Sequence, residues 1–277
     1  MSDDRIPTET RRIDLGDAEI HVEITGAGPD LMLVAGLGGR GVFWKNQIQE
    51  FARQFRVIVH DHRGCGASSP GKVVYGAEHM AEDLIALMNA LKIDRAHLVG
   101  HSTGGAIGQH LALNSAQRVD RLVLSCSWAG PDAYFQQLFR TRREILINCG
   151  PVAYFTVGTY LAMPGWALQE QMKSARDFME ERAAAFPGLE VELSRLAAVA
   201  AHDLRSDVHR VGRPTLCIGA MDDQITPPGF TSELGRLIPG AQTSLLERGG
   251  HFCPLTSTAE YNARVLAFLT ATEAVTA

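Results

Sequence analysis

The sequence contains no long run of charges of one sign, and this absence limits the partners that the chain is expected to bind. Its 26 basic and 31 acidic residues are spread along 277 positions and give a formal net charge of −5. Proteins that bind nucleic acid or anionic membranes usually carry a basic stripe or cluster. Hydrophobic residues make up 45% of the chain, a share typical of globular domains. We therefore predict a small-molecule substrate, no nucleic-acid partner and no membrane partner, and a homodimer is left open.

Cysteine is also scarce, and its spacing does not fit a disulfide framework. The chain has five cysteines and no CxxC pair, which favours reduced, mostly buried thiols. The first five residues, MSDDR, lack the apolar core of a signal peptide. The longest uncharged run, residues 145–169, is interrupted by glycine and proline and is a poor membrane span. Together these features predict a cytoplasmic protein.

Short apolar runs alternate with helical patterns along much of the chain. A hairpin is predicted over residues 12–24, and near-continuous apolar runs stand at 31–35, 57–60, 96–100, 121–125, 215–219 and 243–246. Runs of this kind are typical of strands buried on both faces of a parallel sheet. Helical periodicity is visible at 75–91, 103–113 and 259–270. The pattern predicts an α/β protein with a mostly parallel central sheet flanked by helices.

The alternation of strands and helices stops between about residues 130 and 208. This stretch is helical in pattern and rich in phenylalanine, tyrosine, methionine and tryptophan. We interpret it as a helical cap inserted into the α/β core. The predicted organisation is a first part of the core at 1–129, a cap at 130–208 and a second part of the core at 209–277.

The segment Gly100-His101-Ser102-Thr103-Gly104 follows a predicted strand and opens a predicted helix. A Gly-x-Ser-x-Gly sequence at such a junction is typical of a nucleophile elbow, in which a tight turn presents the serine above the sheet. Glycines two residues on either side keep side chains away from the turn. The five-residue pattern alone is weakly specific, so its structural context is what predicts Ser102 as a nucleophile.

A serine hydroxyl needs a general base, and His251 is the predicted base among ten histidines. It follows the last predicted strand, at the same edge of the sheet as Ser102. His101 adjoins the nucleophile, but its side chain is expected to point elsewhere. The His-Asp-His sequence at 60–62 is a weak metal candidate, because no third ligand stands at a suitable spacing. We predict no metal and no cofactor.

The base needs a carboxylate that holds its tautomer, and the loop after residues 215–219 offers two. We prefer Asp223 for its spacing to Thr226-Pro227-Pro228, and Asp222 remains open as the alternative. The glycine-rich segment 35–39 can approach the nucleophile closely. The backbone N–H groups of Leu37 and Thr103 are therefore predicted to form an oxyanion hole.

Several apolar side chains are candidates for the wall of a substrate pocket. We predict Trp128, Trp166 and Phe252 as substrate-binding residues, with Leu37 beside them, although packing of the cap against the sheet is the commoner role for such residues. The cap also begins with three arginines that could pair with a substrate carboxylate. For these arginines an exposed helical face is the favoured interpretation, and they are Arg140, Arg142 and Arg143.

Taken together, these motifs resemble those of α/β-hydrolase-fold serine hydrolases, over nearly the whole chain. Residues 61–68 are similar to the family's D-x-R-G-x-G-x-S stretch, and 35–39 resembles its His-Gly-x-Gly segment with Ala35 in place of the histidine. The order serine, aspartate, histidine is that of the family. Enzymes of the fold that use an aspartate nucleophile are disfavoured, because Ser102 stands at that position.

Two subgroups of the family are most similar. One is the 3-oxoadipate enol-lactonase-like group, which is similar at 214–216, at Asp223 and at 226–228. The other is the aminoacrylate hydrolase-like group, which is similar at 218–223, 231–234 and 249–251 and in the Trp-containing, Arg-rich stretch at 127–143. Because one fold supports many activities, neither similarity fixes the substrate.

The resemblance implies a serine hydrolase that cleaves a small carboxylic ester or lactone through an acyl-enzyme. Two alternatives are kept open. The first is a catabolic hydrolase that breaks a C–N or C–C bond in an enamine, amide or ring-fission product. The second is a ligand receptor that has the fold without the chemistry. Labelling by a fluorophosphonate separates the second alternative, because only an activated serine reacts.

Overall fold

A computed structural model of the chain describes residues 5–72, 75–170 and 172–271. In these residues the central sheet has eight strands in the order β1-β2-β4-β3-β5-β6-β7-β8. The strands are β1 (Thr8–Asp14), β2 (Glu19–Thr25), β3 (Asp30–Val34), β4 (Arg56–His60), β5 (Ala96–His101), β6 (Val119–Ser125), β7 (Thr215–Ala220) and β8 (Gln242–Leu246). β1 and β2 form an antiparallel edge hairpin, and the pairs from β4 to β8 are parallel. The predicted fold class is confirmed.

The central strands of the sheet are buried on both faces, which explains the apolar runs in the sequence. In β3, Met32 and Val34 join one core cluster, whereas Leu31 and Leu33 join the cluster on the opposite face. Successive side chains of a strand point to opposite faces, so a strand covered on both sides must be apolar throughout. The same division places Leu98 and Val99 of β5 in different clusters.

Helices cover the two faces of the sheet. One cluster includes side chains of α2 (Ala77–Ala90), α3 (Thr103–Asn114) and α8 (Pro228–Leu237). The other includes side chains of α1 (Lys45–Phe51), α9 (Cys253–Thr256) and α10 (Thr258–Leu269). The sequence analysis did not predict α1, which has seven residues and spans too few turns to show a clear period.

Among the described residues, four α-helices lie between β6 and β7, in the region where a cap is predicted. They are α4 (Ala133–Ala162), α5 (Gly165–Glu170), α6 (Met172–Ala184) and α7 (Leu189–Ala201). An apolar cluster joins this region to the core, with Phe135, Tyr154 and Leu196 on the helical side and Ala106 and Ile225 on the core side. The exact division between core and cap stays a prediction.

The backbone of α4 leaves helical geometry at Gly150, where φ is 80°, and Pro151 follows. Gly150 has room for this conformation, and proline removes a helical hydrogen bond. In the part of the chain that the structure describes, α4 alone is long and apolar enough to cross a membrane by length and composition. One such helix is weak evidence, because core helices pass the same test. The break divides α4 into two arms.

Candidate active site

Ser102 lies at a sharp junction between β5 and α3. Its φ of 54° and ψ of −116° are unusual for a residue with a side chain, and its N–H donates to the Ser125 carbonyl at 2.7 Å. Such a conformation costs about 1–3 kcal/mol and persists only when the surroundings hold it. It turns the chain from strand to helix within one residue, which is the geometry expected of the predicted elbow.

The glycines of the elbow allow close approach of backbone segments. A Cβ atom on Gly104 would lie 2.2 Å from the Val34 carbonyl oxygen, and one on Gly100 would lie 2.2 Å from the Gly104 carbonyl oxygen. Neither position has space for a side chain. The close backbone packing that requires glycine at these two positions of the motif is therefore present around Ser102.

His251 and Asp223 are joined by a buried hydrogen bond. His251 Nδ1 lies 2.9 Å from Asp223 Oδ2, and both side chains are almost fully buried. The carboxylate also accepts from the N–H groups of Ile225 and Thr226 and from the Thr226 hydroxyl, at 2.8–2.9 Å. A carboxylate with this many donors is fixed in position, and it can in turn fix the imidazole.

Asp222 has a different environment, although it is the neighbour of Asp223 in the chain. Its Oδ1 accepts from the N–H groups of Gly249 and Gly250 at 2.8 and 2.7 Å. Through this oxygen it supports the loop that leads to His251. The structure separates the two carboxylates that the sequence left as alternatives.

A single cavity of about 130 Å³ brings several of the predicted residues together. Ser102, His251, Leu37 and Phe252 line it. A nucleophile and a base in one cavity are the minimum arrangement for attack on a bound carbonyl group. The small volume favours a small substrate.

His101 also lines this cavity, contrary to the expectation that its side chain points elsewhere. Its ring stacks on Phe43 with 4.6 Å between centroids and lies 4.9 Å from the His251 ring. Its Nδ1 is 3.2 Å from the Ser125 hydroxyl. Burial and the nearby His251 hold the pKa of His101 well below its usual range, so this imidazole stays neutral.

The predicted oxyanion-hole residues, Leu37 and Thr103, both lie next to segments that contact or contain the elbow. A Cβ atom on Gly36 would lie 3.2 Å from Ser102 Cβ, so the loop before Leu37 packs against the elbow. Thr103 is the first residue of α3, where N–H groups have no intrahelical acceptor. Among the described residues, no hydrogen-bond acceptor is recorded for the N–H of Leu37 or Thr103.

Trp128 and Trp166, which we predicted as substrate-binding residues, lie outside the cavity lining. Trp128 is buried beneath α4, where its ring meets Phe135 at 4.8 Å between centroids. Trp166 packs with α5 residues, and its Nε1 donates to Asp222 Oδ2 at 3.4 Å. Trp128 is fully buried and Trp166 is half-buried, and for both residues packing rather than substrate contact explains the aromatic side chain.

The interpretation of the cap arginines as an exposed face is wrong for one of them. Arg140 and Arg143 are exposed, whereas Arg142 is 5% exposed and lines the cavity. Its Nη2 lies 3.2 Å from the Tyr154 hydroxyl, which donates to Glu192 Oε1 at 2.7 Å. The guanidinium also lies over the Tyr154 ring, 4.9 Å from its centroid.

The sequence analysis missed Arg195 and Glu192 of α7. Both occupy the helical face that also buries Val191, Leu196 and Val199. Charged residues at the core positions of an amphipathic helix are rare unless they have polar partners. The position of these two charged residues among the apolar residues of the helix was the sequence signal that could have indicated them.

The histidines of the weak metal candidate have other partners. His62 Nδ1 is 3.1 Å from Arg195 Nη2, and a guanidinium so close disfavours a cation. Burial lowers the pKa of His60 to about 4. In the described residues one other group, Cys126, Asp223 and His251, has potential ligand atoms within 4.8 Å of one another. A hydrogen bond with Cys253, together with burial, raises the pKa of the Cys126 thiol well above its usual range, so it remains a protonated, poor ligand.

Comparison with known families agrees with the fold. The model of the α/β-hydrolase-fold family matches residues 29–258. The chain belongs to this family, as the motifs predicted, and it is a hydrolase.

Particular relatives extend this result. A protein of Azorhizobium caulinodans named carbamate hydrolase RutD, a name that is itself provisional, is 32% identical over 91% of this chain and 96% of its own. A protein of Caulobacter vibrioides with the same name is 33% identical over 94% of this chain and 98% of its own. The enol-lactonase of Burkholderia xenovorans superposes with a TM-score of 0.87 at 25% identity, over 94% of this chain and all of that structure.

Proposed function

We propose that this hydrolase cleaves a small carboxylic ester or lactone by a Ser102–His251–Asp223 triad and an acyl-enzyme intermediate. One observation carries the proposal. The serine at the strained elbow shares a cavity with an imidazole whose Nδ1 is hydrogen-bonded to a buried carboxylate at 2.9 Å. This combination supplies a nucleophile, a base and the group that orients the base.

The roles follow from the hydrogen bonds. Asp223 can only accept, so the proton of the neutral His251 ring resides on Nδ1 and leaves Nε2 as the base. Ser102 Oγ forms a bond to the substrate carbonyl carbon while Nε2 takes the hydroxyl proton. The N–H groups of Leu37 and Thr103 stabilise the negative oxygen. His251 returns the proton to the leaving group as its bond to the carbonyl carbon breaks. Water then attacks the acyl carbon while His251 takes a proton from it, and this proton passes to Ser102 Oγ as the acyl bond breaks and the acid product leaves.

We further propose that the substrate carries an acidic group that binds Arg142. This side chain is buried in the cavity wall, and its Nε has no hydrogen-bond partner among the described residues. A buried unsatisfied donor of a charged group is costly, and a substrate carboxylate would satisfy it. Arg182 lines the same cavity, and burial together with the charge of Arg142 lowers its pKa to about 10. It is therefore still cationic at neutral pH, and the pair favours an anion.

Replacing Arg142 with methionine should reduce kcat/KM for an acid-bearing ester by about 10- to 100-fold, because a hydrogen bond to a charged group contributes about 1.5–3 kcal/mol. A neutral ester of similar size should change by less than about 3-fold, since it makes no charge-assisted bond. Steady-state kinetics on both esters checks this. The exposed Arg143→Met variant is the matched control. Equal losses on the two esters would remove Arg142 from substrate recognition.

A C–N bond hydrolase is the second candidate, and the names of the curated relatives favour it. A carbamate or enamine acid would reach the same serine and the same arginine. The triad does not distinguish an alcohol from an amine as leaving group, because His251 protonates either.

The leaving group can be tested with substrates that join one acid-bearing acyl group to an alcohol or to an amine. We expect kcat/KM to be at least about 10-fold higher for the ester, which has the better leaving group and needs less protonation by His251. Product analysis by chromatography gives both rates. A faster release of amine or ammonia would establish the second candidate instead.

We also infer a cytoplasmic location. All five cysteines are free, and Cys126 Sγ lies 3.6 Å from Cys253 Sγ without a disulfide. Buried, unpaired thiols are usual in reducing compartments and support this location.

A further inference from the structure

We propose that Arg195 of α7 is a positioning residue that orients the Leu37 N–H towards the reacting carbonyl oxygen. The inference rests on the proposed function, since it assumes that this N–H serves the oxyanion hole. Arg195 belongs to the predicted cap, and it is far in sequence from the loop that it holds.

Arg195 binds two consecutive carbonyl groups of the glycine-rich segment 35–39, which contains the Leu37 N–H. Its Nε donates to the Leu37 oxygen at 2.9 Å, and its Nη2 donates to the Gly36 oxygen at 3.4 Å. The side chain is 1% exposed, so water competes little for these bonds. Gly39 makes the approach feasible, because a Cβ there would lie 2.8 Å from Nη2.

The planarity of the peptide bond converts this contact into a direction for the N–H. The Gly36 carbonyl and the Leu37 N–H belong to one trans peptide, in which the two groups point in opposite directions. The Gly36 oxygen accepts from the Gly39 N–H at 2.9 Å as well as from Arg195. The backbone turn and the guanidinium together hold this oxygen, which turns the hydrogen to the other side. The nucleophile lies close to this loop, since a Cβ on Gly36 would be 3.2 Å from Ser102 Cβ.

The acceptors of Arg195 are uncharged. Those recorded among the described residues are the Leu37 and Gly36 oxygens, His62 Nδ1 at 3.1 Å and the Met80 sulfur at 3.8 Å. A guanidinium can only donate, so His62 must be neutral with its proton on Nε2. Burial and the charge of Arg195 hold the pKa of His62 well below its usual range, which agrees with this state.

A full positive charge bound to neutral acceptors acts differently from an ordinary salt bridge. It polarises the Gly36–Leu37 peptide, because a hydrogen bond to a carbonyl oxygen strengthens the N–H of the same peptide as a donor. The guanidinium therefore reinforces the direction that the Gly36–Gly39 turn gives to the donor, and it increases the donor's strength. A role limited to stability would produce neither effect.

The test compares Arg195→Met with Arg205→Met. Arg205 is a matched control, because it also donates to a backbone carbonyl, the Gly130 oxygen at 2.6 Å, and lies outside the cavity lining. We expect Arg195→Met to lower kcat on a small ester by about 10- to 1000-fold, the upper limit being the loss of one oxyanion donor, with KM within about 3-fold. Arg205→Met should keep kcat in the folded protein.

A trifluoromethyl ketone supplies the readout that a structural role would not change. It adds to the serine and forms a tetrahedral oxyanion, so its inhibition constant should rise in Arg195→Met by the same factor as kcat falls. An unchanged inhibition constant and kcat in folded Arg195→Met would overturn the inference. If Arg195→Met does not fold, Arg195→Lys carries the same two measurements, since one ammonium cannot reproduce the planar fork.

The same inhibitor separates this inference from the proposed function. Failure of the wild-type protein to form an adduct at Ser102 would refute the serine mechanism itself. Adduct formation in the wild type with no change in Arg195→Met would leave the mechanism standing and remove only the role of Arg195.

Discussion

Replacing Ser102 with alanine should lower kcat by about 10⁴- to 10⁶-fold while the protein remains folded. The loss is this large because the hydroxyl is the only group that forms the covalent bond in the proposed mechanism, and the base is without effect when the nucleophile is absent. The serine is at the surface of a cavity, so removing one oxygen leaves the packing of the elbow intact. Turnover of a small ester and the far-UV circular dichroism spectrum measure the two parts of the result.

Ser206→Ala is a suitable control, because Ser206 is exposed and its hydroxyl contacts only the neighbouring Asp207 among the recorded partners. It should keep full activity. A fluorophosphonate should label the wild type and Ser206→Ala but not Ser102→Ala. Near-normal turnover in Ser102→Ala would contradict the assignment of the nucleophile. Hydrolysis by a wild type that does not react with the reagent would also contradict a serine mechanism.

The second large effect is expected at Asp223. Asp223→Asn should lower kcat by about 10⁴-fold, because the amide can donate to Nδ1 and thereby moves the proton of the ring to the wrong nitrogen. Asp222→Asn should cost less than about 10-fold. The asparagine oxygen can still accept from the N–H groups of Gly249 and Gly250. These two hydrogen bonds support the loop that leads to His251.

Steady-state kinetics and thermal unfolding of the two variants form one experiment. The pair is well matched, since each substitution replaces one carboxylate with one amide at adjacent positions. A larger loss of kcat in Asp222→Asn would transfer the role of the acid to that residue. A similar loss in both variants would instead indicate that the loop, rather than either carboxylate, controls His251.

The sequence predicted the fold and the candidate triad because their signals are local. A tight turn between strand and helix needs glycines at fixed positions, so residues 100–104 show the elbow directly. The strands were visible because a sheet covered on both faces requires apolar residues at every position, as in β3. The choice between Asp222 and Asp223 was harder, since both lie on one loop and only their hydrogen bonds distinguish them.

The cavity wall was not predictable in the same way. Whether Arg142 faces the cavity depends on how α4 is rotated and where it bends, and Trp128 lies in the connection before that helix. No short motif specifies these features. Arg142 has two arginine neighbours within three positions, which made it resemble an exposed charged face. Arg195 was missed because its partners, the carbonyl oxygens of residues 36 and 37, are more than 150 positions away.

The break in α4 at Gly150 has a consequence for how this enzyme can diversify. Phe139 and Arg142 reach the cavity from the arm before the break, and Phe155 and Gly158 reach it from the arm after it. Side chains on either arm can therefore be exchanged without altering a strand of the central sheet. Substitutions at these positions, in evolution or in a laboratory library, can therefore alter substrate selectivity without changing the elbow at Ser102.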